Sequence, residues 1–271
     1  MTAPVLALPG NLAPLGLTRD AKHVYGWNDG TNVYHPIPSV TTAIRLIDKS
    51  GPLVGWAKRE TAASAVRNLD ALVAMRKEGG PDAAINWLKT IPDYQRDQAA
   101  DRGTSIHQIV EQIIRGQSPE IPEELGPYVA AYHAFVKEWE PRYVVSEQMV
   151  CSLKHGYAGT LDAVVVIGNE RWLIDWKTGA GIYAETALQL AAYGAAEFIG
   201  RPGDPRKYRV PRATRFGVIH VVPEGAELVP YAVDRGDFAV FLKALEVWHW
   251  TQGKARTVVG KPLTTERLAI A

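Results

Sequence analysis

Residues 157–177 read YAGTLDAVVVIGNERWLIDWK. Two β-prone apolar runs, 157–167 and 171–177, flank Gly168-Asn169-Glu170, a turn signal of the kind that joins neighbouring strands. Upstream, residues 143–153 have the same character and are set off by Lys154-His155-Gly156, so the outline is a three-stranded meander. Alternation along the last strand puts Asp175 and Lys177 on one face and Trp176 on the other. The intervening hairpin brings Asp162 alongside Asp175. Two adjacent carboxylates repel, and a divalent cation between them relieves this, because hard cations such as Mg²⁺ take oxygen ligands and retain water or substrate phosphate. The plainer alternative is an ordinary ion pair, with one Asp neutralising Lys177 and the other facing solvent.

Working outward, the region before the meander is mostly helical. Residues 23–37 read as a hairpin around Asn28-Asp29-Gly30. Ser39 caps a short helix through Ile47, which Lys49-Ser50-Gly51-Pro52 breaks. A helical pattern over 53–77 ends at Gly79-Gly80-Pro81, Asp82 caps another toward Ile91, and Pro92 opens a third to Arg115 with a kink point at Gly103. A further helix spans 123–139. After the meander come an alanine-rich helix (183–199), a loop rich in proline and basic residues (201–211), strands at 215–222 and 227–233, and a helix at 237–250. The βββαββα order predicts an α/β core with a helical elaboration. The domain limits read as 1–95 for the N-terminal hairpin and helical region, 96–252 for the core, and 253–271 for a tail.

The chain has 271 residues, 46% hydrophobic and 22% charged, which excludes disordered, collagen-like and coiled-coil sequence. Thirty Lys plus Arg against twenty-nine Asp plus Glu give a net charge of +1. Attraction to nucleic acid must therefore come from local patches. The single cysteine, Cys151, excludes a disulfide framework, a cysteine zinc site and a four-cysteine iron–sulfur cluster, and points to a reducing cytoplasm. Residues 1–17 are apolar but proline-interrupted and lack a basic lead, so neither a signal peptide nor a membrane association is expected.

Other residues gain meaning from spacing. Gln189 and Tyr193 stand four apart on one helical face, as do His107 and Glu111. Each pair has a plain reading as well, a core tyrosine with a rim glutamine and a solvated His–Glu pair. Basic and aromatic residues suited to DNA are Lys49, Trp56, Lys58, Arg59 and Arg102, and in the later loop Arg201, Arg206, Lys207, Tyr208 and Arg209. Each is equally readable as a solvated face.

The ordered set is more specific than any member: Gly103-Thr104 with His107 and Glu111, Gly159-Thr160 with Asp162, Asp175 with Lys177-Thr178, and Gln189 with Tyr193. Over roughly residues 100–200 it resembles the RecB-like branch of the PD-(D/E)XK nuclease superfamily, and Pro38-Ser39-Val40-Thr41-Thr42 is similar to a segment near the start of some phage-type exonucleases of that branch. The resemblance implies a restriction-endonuclease-like core, a mixed sheet flanked by helices, with the N-terminal region covering a DNA cleft. It implies a metal-dependent DNA exonuclease of phage or bacterial recombination, repair or processing, using one or two Mg²⁺ or Mn²⁺ ions. His107, Asp162 and Asp175 would ligate metal, with the Trp176 carbonyl as a further ligand. Lys177 would be the catalytic lysine. Gln189 and Tyr193 would hold the DNA backbone or orient the reacting groups, Thr178 would lie along the DNA, and Glu111 and Glu147 would assist. Some relatives carry four cysteines for an iron–sulfur cluster, which this chain lacks. The expected partners are single-stranded DNA or DNA ends, with a recombination or single-strand-binding protein as a further one. The rivals are a DNA-end scaffold that no longer cuts and a zinc-dependent hydrolase, for which no His-Glu-x-x-His spacing exists.

Overall fold

Strands buried on both faces read as continuous apolar runs, and residues 163–167 have that character. The computed structural model describes residues 14–47, 50–179 and 181–262. Its first elements are three short antiparallel strands, β1 (Gly16–Arg19), β2 (Tyr25–Asn28) and β3 (Val33–Ile37). The turn between β2 and β3 is fixed by Asp29 Oδ1, which accepts from the amides of Thr31 and Asn32 at 2.9 and 2.7 Å. Helix α1 (Val40–Ile44) begins at Ser39, whose hydroxyl accepts from the Thr42 amide at 3.0 Å and satisfies one of the free N-terminal donors.

Helices α2 (Ser50–Arg67) and α3 (Leu69–Ile114) meet at Asn68. The expected stop at Gly79-Gly80-Pro81 is instead a kink inside α3, where Gly80 takes φ 76°. Pro92 opens no new helix and Gly103 keeps helical backbone, so α3 runs through residue 95, where the sequence reading sets a domain limit. After α4 (Gly126–Trp139) come β4 (Arg142–Ser152), β5 (Tyr157–Ile167) and β6 (Glu170–Lys177), the expected meander. The alanine-rich helix α5 is shorter than expected (Thr186–Gly194). The chain then forms β7 (Phe198–Arg201) and β8 (Asp204–Tyr208), a hairpin in place of the expected helix end and loop. Strands β9 (Arg215–Val222) and β10 (Gly225–Tyr231) precede α6 (Arg235–Gln252). An Asp234–Asp237 capping box starts α6.

Seven strands make one mixed sheet in the order β10-β9-β6-β5-β4-β7-β8, with β6 and β9 parallel and the other neighbours antiparallel. On one face Ile106, Ile109 and Val110 of α3 and the apolar side of α4 pack over Ala163, Val165, Ile174 and Trp176. On the other, α1, α5 and α6 cover Val164 and Leu173. The three N-terminal strands close over β4, β5 and β7 through Leu17, Trp27, Ile37, Cys151, Ala158 and Phe198. The architecture is thus α/β, a large mixed sheet flanked by helices. Among the described residues, no helix is long and apolar enough to cross a membrane.

Candidate functional site

Strand pairing sets the first distances. The β5–β6 ladder runs to Ala163↔Ile174, one step short of Asp162 and Asp175. In the β4–β5 ladder Ser146 faces Ala163 and Gln148 faces Leu161, which sets Glu147 opposite Asp162. Glu147 has φ 47°, a left-handed conformation that costs a non-glycine residue of order 1 kcal/mol or more and persists where surrounding structure enforces it.

Asp175 is 2% exposed. Its Oδ1 accepts from Gln189 Nε2 at 2.7 Å, and its Oδ2 lies 2.6 Å from Lys177 Nζ. Asp162 Oδ2 accepts from the Trp176 amide at 2.7 Å, which pins the end of β6 to β5. Gln189 and Tyr193 lie on one face of α5, their polar ends 3.5 Å apart. The Tyr193 ring passes so close to β5 that a Cβ on Gly159 would sit 2.5 Å from it. Any side chain at Gly159 displaces that ring.

His107 reaches the same place from α3. Its Nδ1 is 4.0 Å from both Glu147 Oε1 and Asp162 Oδ2, while Nε2 lies 3.2 Å from the Trp176 carbonyl. A carbonyl only accepts, so Nε2 carries the hydrogen and Nδ1 faces the carboxylates. The Trp176 carbonyl, expected as a metal ligand, accepts from the imidazole, the arrangement that metal-binding histidines use on their outer nitrogen. Gly103 lets α3 approach at this level, since a Cβ there would lie 3.1 Å from the Thr178 hydroxyl.

A divalent cation fits these groups. His107, Glu147 and Asp162 each offer a ligand atom within 4.8 Å of the others. With Asp175 they make three carboxylates against one ammonium, Lys177, a formal excess of two negative charges when His107 is neutral. Mg²⁺ and Mn²⁺ suit an oxygen-rich set with one imidazole.

The electrostatics register the same crowding. Burial pushes the Asp175 carboxyl up to about 6, with the Asp162 charge adding to it against the pull of Lys177. Burial and Glu147 raise Asp162 above the usual carboxylate range, against His107 and Lys177. For Lys177, burial works downward, but Asp175 and Asp162 outweigh it and hold the ammonium above its ordinary value. Burial also works downward on His107, yet Glu147, Asp162 and Asp175 together carry it up to about 9.

These groups line a pocket of about 260 Å³ together with Arg19, His23, Tyr25, Ser39 and Thr41. Tyr25 ties the N-terminal sheet to β5 through a 2.9 Å hydrogen bond between its hydroxyl and that of Thr160. Arg19, His23 and Tyr25 carry no motif; the packing of the N-terminal sheet beside β5 brings them to the pocket. Glu147 was legible only as a residue on the first meander strand; the register with Asp162 is what gives it a place.

Other candidates lie elsewhere. Glu111 pairs with Arg115 one turn along α3, away from the pocket. Arg102 stacks on Tyr128 at 5.9 Å. Lys58 and Arg59 are exposed on α2 and Trp56 is half-buried there. Lys49 is outside the described residues. In the β7–β8 hairpin Arg201 lies 4.6 Å over the Tyr208 ring, Arg206 pairs with Asp204, and Lys207 lies over Trp27 and Phe198, while Arg209 is exposed.

Comparison with protein-family models and with curated proteins gives no match. Among solved structures, a protein described as SSO0001 aligns at 13% identity with a TM-score of 0.27, over 44% of this chain and 54% of that one. The alignment spans about half the length of that protein.

Proposed function

We propose that the protein is a metal-dependent deoxyribonuclease with a restriction-endonuclease-like core, an exonuclease working in phage or bacterial DNA recombination, repair or processing. The observation that supports this most is the convergence of Glu147, Asp162, Asp175, His107 and Lys177, from three strands and a helix, in one pocket. When bound, Mg²⁺ or Mn²⁺, as one or two ions, supplies Lewis acidity toward phosphoryl oxygens and activates water.

The chain's own residues account for the rest. Glu147, Asp162 and His107 would hold the cation, while Asp175 pairs with Lys177 beside them. Lys177, kept charged by Asp175 and Asp162, faces the negative charge that grows on the phosphate oxygens, as a preorganised cation should. Gln189 fixes Asp175 through its 2.7 Å hydrogen bond and so sets where Asp175 and Lys177 stand. Tyr193, 3% exposed and with its hydroxyl held well above the ordinary value by burial, remains a neutral donor. Thr41, shared by the pocket and the groove beside it, continues the polar rim toward a bound strand, and Thr178, next to Lys177, would lie along it. DNA, as single strands or ends, is the substrate and partner, and a single-strand-binding or recombination protein is a natural companion for that work. The cytoplasm provides the metal and the reducing conditions that a lone buried cysteine suits.

Incubation of the protein with end-labelled DNA and Mn²⁺ tests this reading. EDTA-sensitive release of nucleotides is expected, reduced about 10²–10³-fold by Lys177→Ala. A protein that binds DNA in metal and leaves it whole is the inactive scaffold instead.

A further inference from the structure

Beside the carboxylate pocket lies a second, larger depression of about 780 Å³, which shares Thr41, Lys177 and Gln189 with it. Its character differs. The pocket is walled by charged and hydroxyl groups, whereas much of the groove wall is apolar, from Ile44, Leu46, Ile47, Leu53 and Tyr183, with Arg45, Ser50, Glu185 and Thr186 among them. Several of these apolar side chains stand open to solvent: Leu46 is 40% exposed, Leu53 56% and Tyr183 62%. Tyr183 is placed by its backbone, whose carbonyl accepts from the Tyr231 hydroxyl at 2.9 Å, so its ring is presented without being packed away.

From this juxtaposition we infer that the groove receives the unpaired bases of a DNA strand whose phosphate lies at Lys177. The inference rests on the nuclease reading and names its substrate as single-stranded DNA. Three observations lead to it. The volume lies within the roughly 300–1,000 Å³ of pockets that enclose drug-sized molecules, enough for one or two nucleotides. Apolar and aromatic walls favour base faces and disfavour phosphates. Duplex DNA stacks its base faces away and presents phosphates and groove edges, so only an unpaired strand has the surface that matches. Base–aromatic stacking is the usual sequence-tolerant grip on such strands. The groove also opens onto Lys177 and Gln189, so a strand laid in it has its backbone beside the pocket.

The test is binding in EDTA, where no strand is cut, using a short oligothymidylate with one 2-aminopurine and a blunt duplex of equal length. On the intact protein, 2-aminopurine fluorescence is expected to be quenched. Tyr183→Ser and Leu53→Ser, both at exposed positions, are each expected to weaken single-strand binding about tenfold and to leave duplex binding unchanged. Unchanged single-strand affinity in both variants overturns the inference, as does equal loss for duplex. A change of oligomeric state in the variants without loss of strand affinity makes the groove a contact between copies and also overturns it. The two readings separate in Mn²⁺. Strand cleavage with unaffected groove variants removes the groove and keeps the nuclease; groove-dependent binding with no cleavage does the reverse.

Discussion

At His107 a proton competes with the proposed divalent cation. Glu147 and Asp162, each 4.0 Å from Nδ1, stabilise positive charge there, and without metal the imidazole holds its proton up to about pH 9. A metal ligand must be deprotonated, so binding releases that proton. Mn²⁺ affinity is therefore expected to rise about tenfold per pH unit between pH 6.5 and 9 and to level off above. Below about 6, where Asp175 protonates as well, the fall is steeper. Calorimetric titration in buffers of different ionisation enthalpy measures this, and a pH-independent affinity contradicts it. Glu147→Gln replaces a carboxylate ligand with a neutral amide and removes the charge that best supports the imidazolium. Its affinity for Mn²⁺ is expected to drop at least about tenfold, with the pH dependence shifted downward.

Among the elements, the fit of α5 against β5 depends on the absence of a side chain at Gly159. Gly159→Ala places a methyl 2.5 Å from the ring of Tyr193, which is buried and borders the carboxylate pocket. The expected cost is about 1–3 kcal/mol, as for other overpacked cores, read by urea denaturation. A displaced Gln189 should also lower cleavage. Strands β4, β5, β6, β9 and β10 and helices α4 and α6 were legible because each has a clean period and a turn or cap at its ends. The β7–β8 hairpin was hidden because Phe198-Ile199-Gly200 extends the apolar pattern of α5 with no proline to stop it. The helix ends at Gly194, where the ring of Phe216 comes within 2.9 Å of a Cβ position, a contact between elements distant in sequence. Asp162, Asp175, Lys177, Gln189, Tyr193 and His107 were legible as candidates by spacing and order. Glu147 was expected only in an assisting role, and its register opposite Asp162 brings it into the pocket; Arg19, His23 and Tyr25 were not legible, because sheet-on-sheet contact places them.

For the whole molecule, the crowded carboxylates couple folding to pH. The His107 pKa is about 9 in the folded protein against about 6.5 unfolded. A raised pKa gives stability that is fully present below 6.5 and lost as pH rises through 9. In EDTA, the stability advantage over His107→Gln is expected to shrink by roughly 2–3 kcal/mol across that window. Scanning calorimetry at pH 6, 7.5 and 9 reads it, and a constant difference contradicts it. Because the net charge is only +1, strand binding should owe more to local contacts than to the field of the whole molecule.

The proposal that His107, Glu147 and Asp162 hold one cation is tested most directly by electron paramagnetic resonance of Mn²⁺ added to metal-stripped protein at pH 8. The free-ion signal is expected to disappear up to one or two equivalents and to persist when Asp162→Asn replaces the wild type. A full free-ion signal in the presence of excess wild-type protein, or equal uptake by Asp162→Asn, contradicts the account.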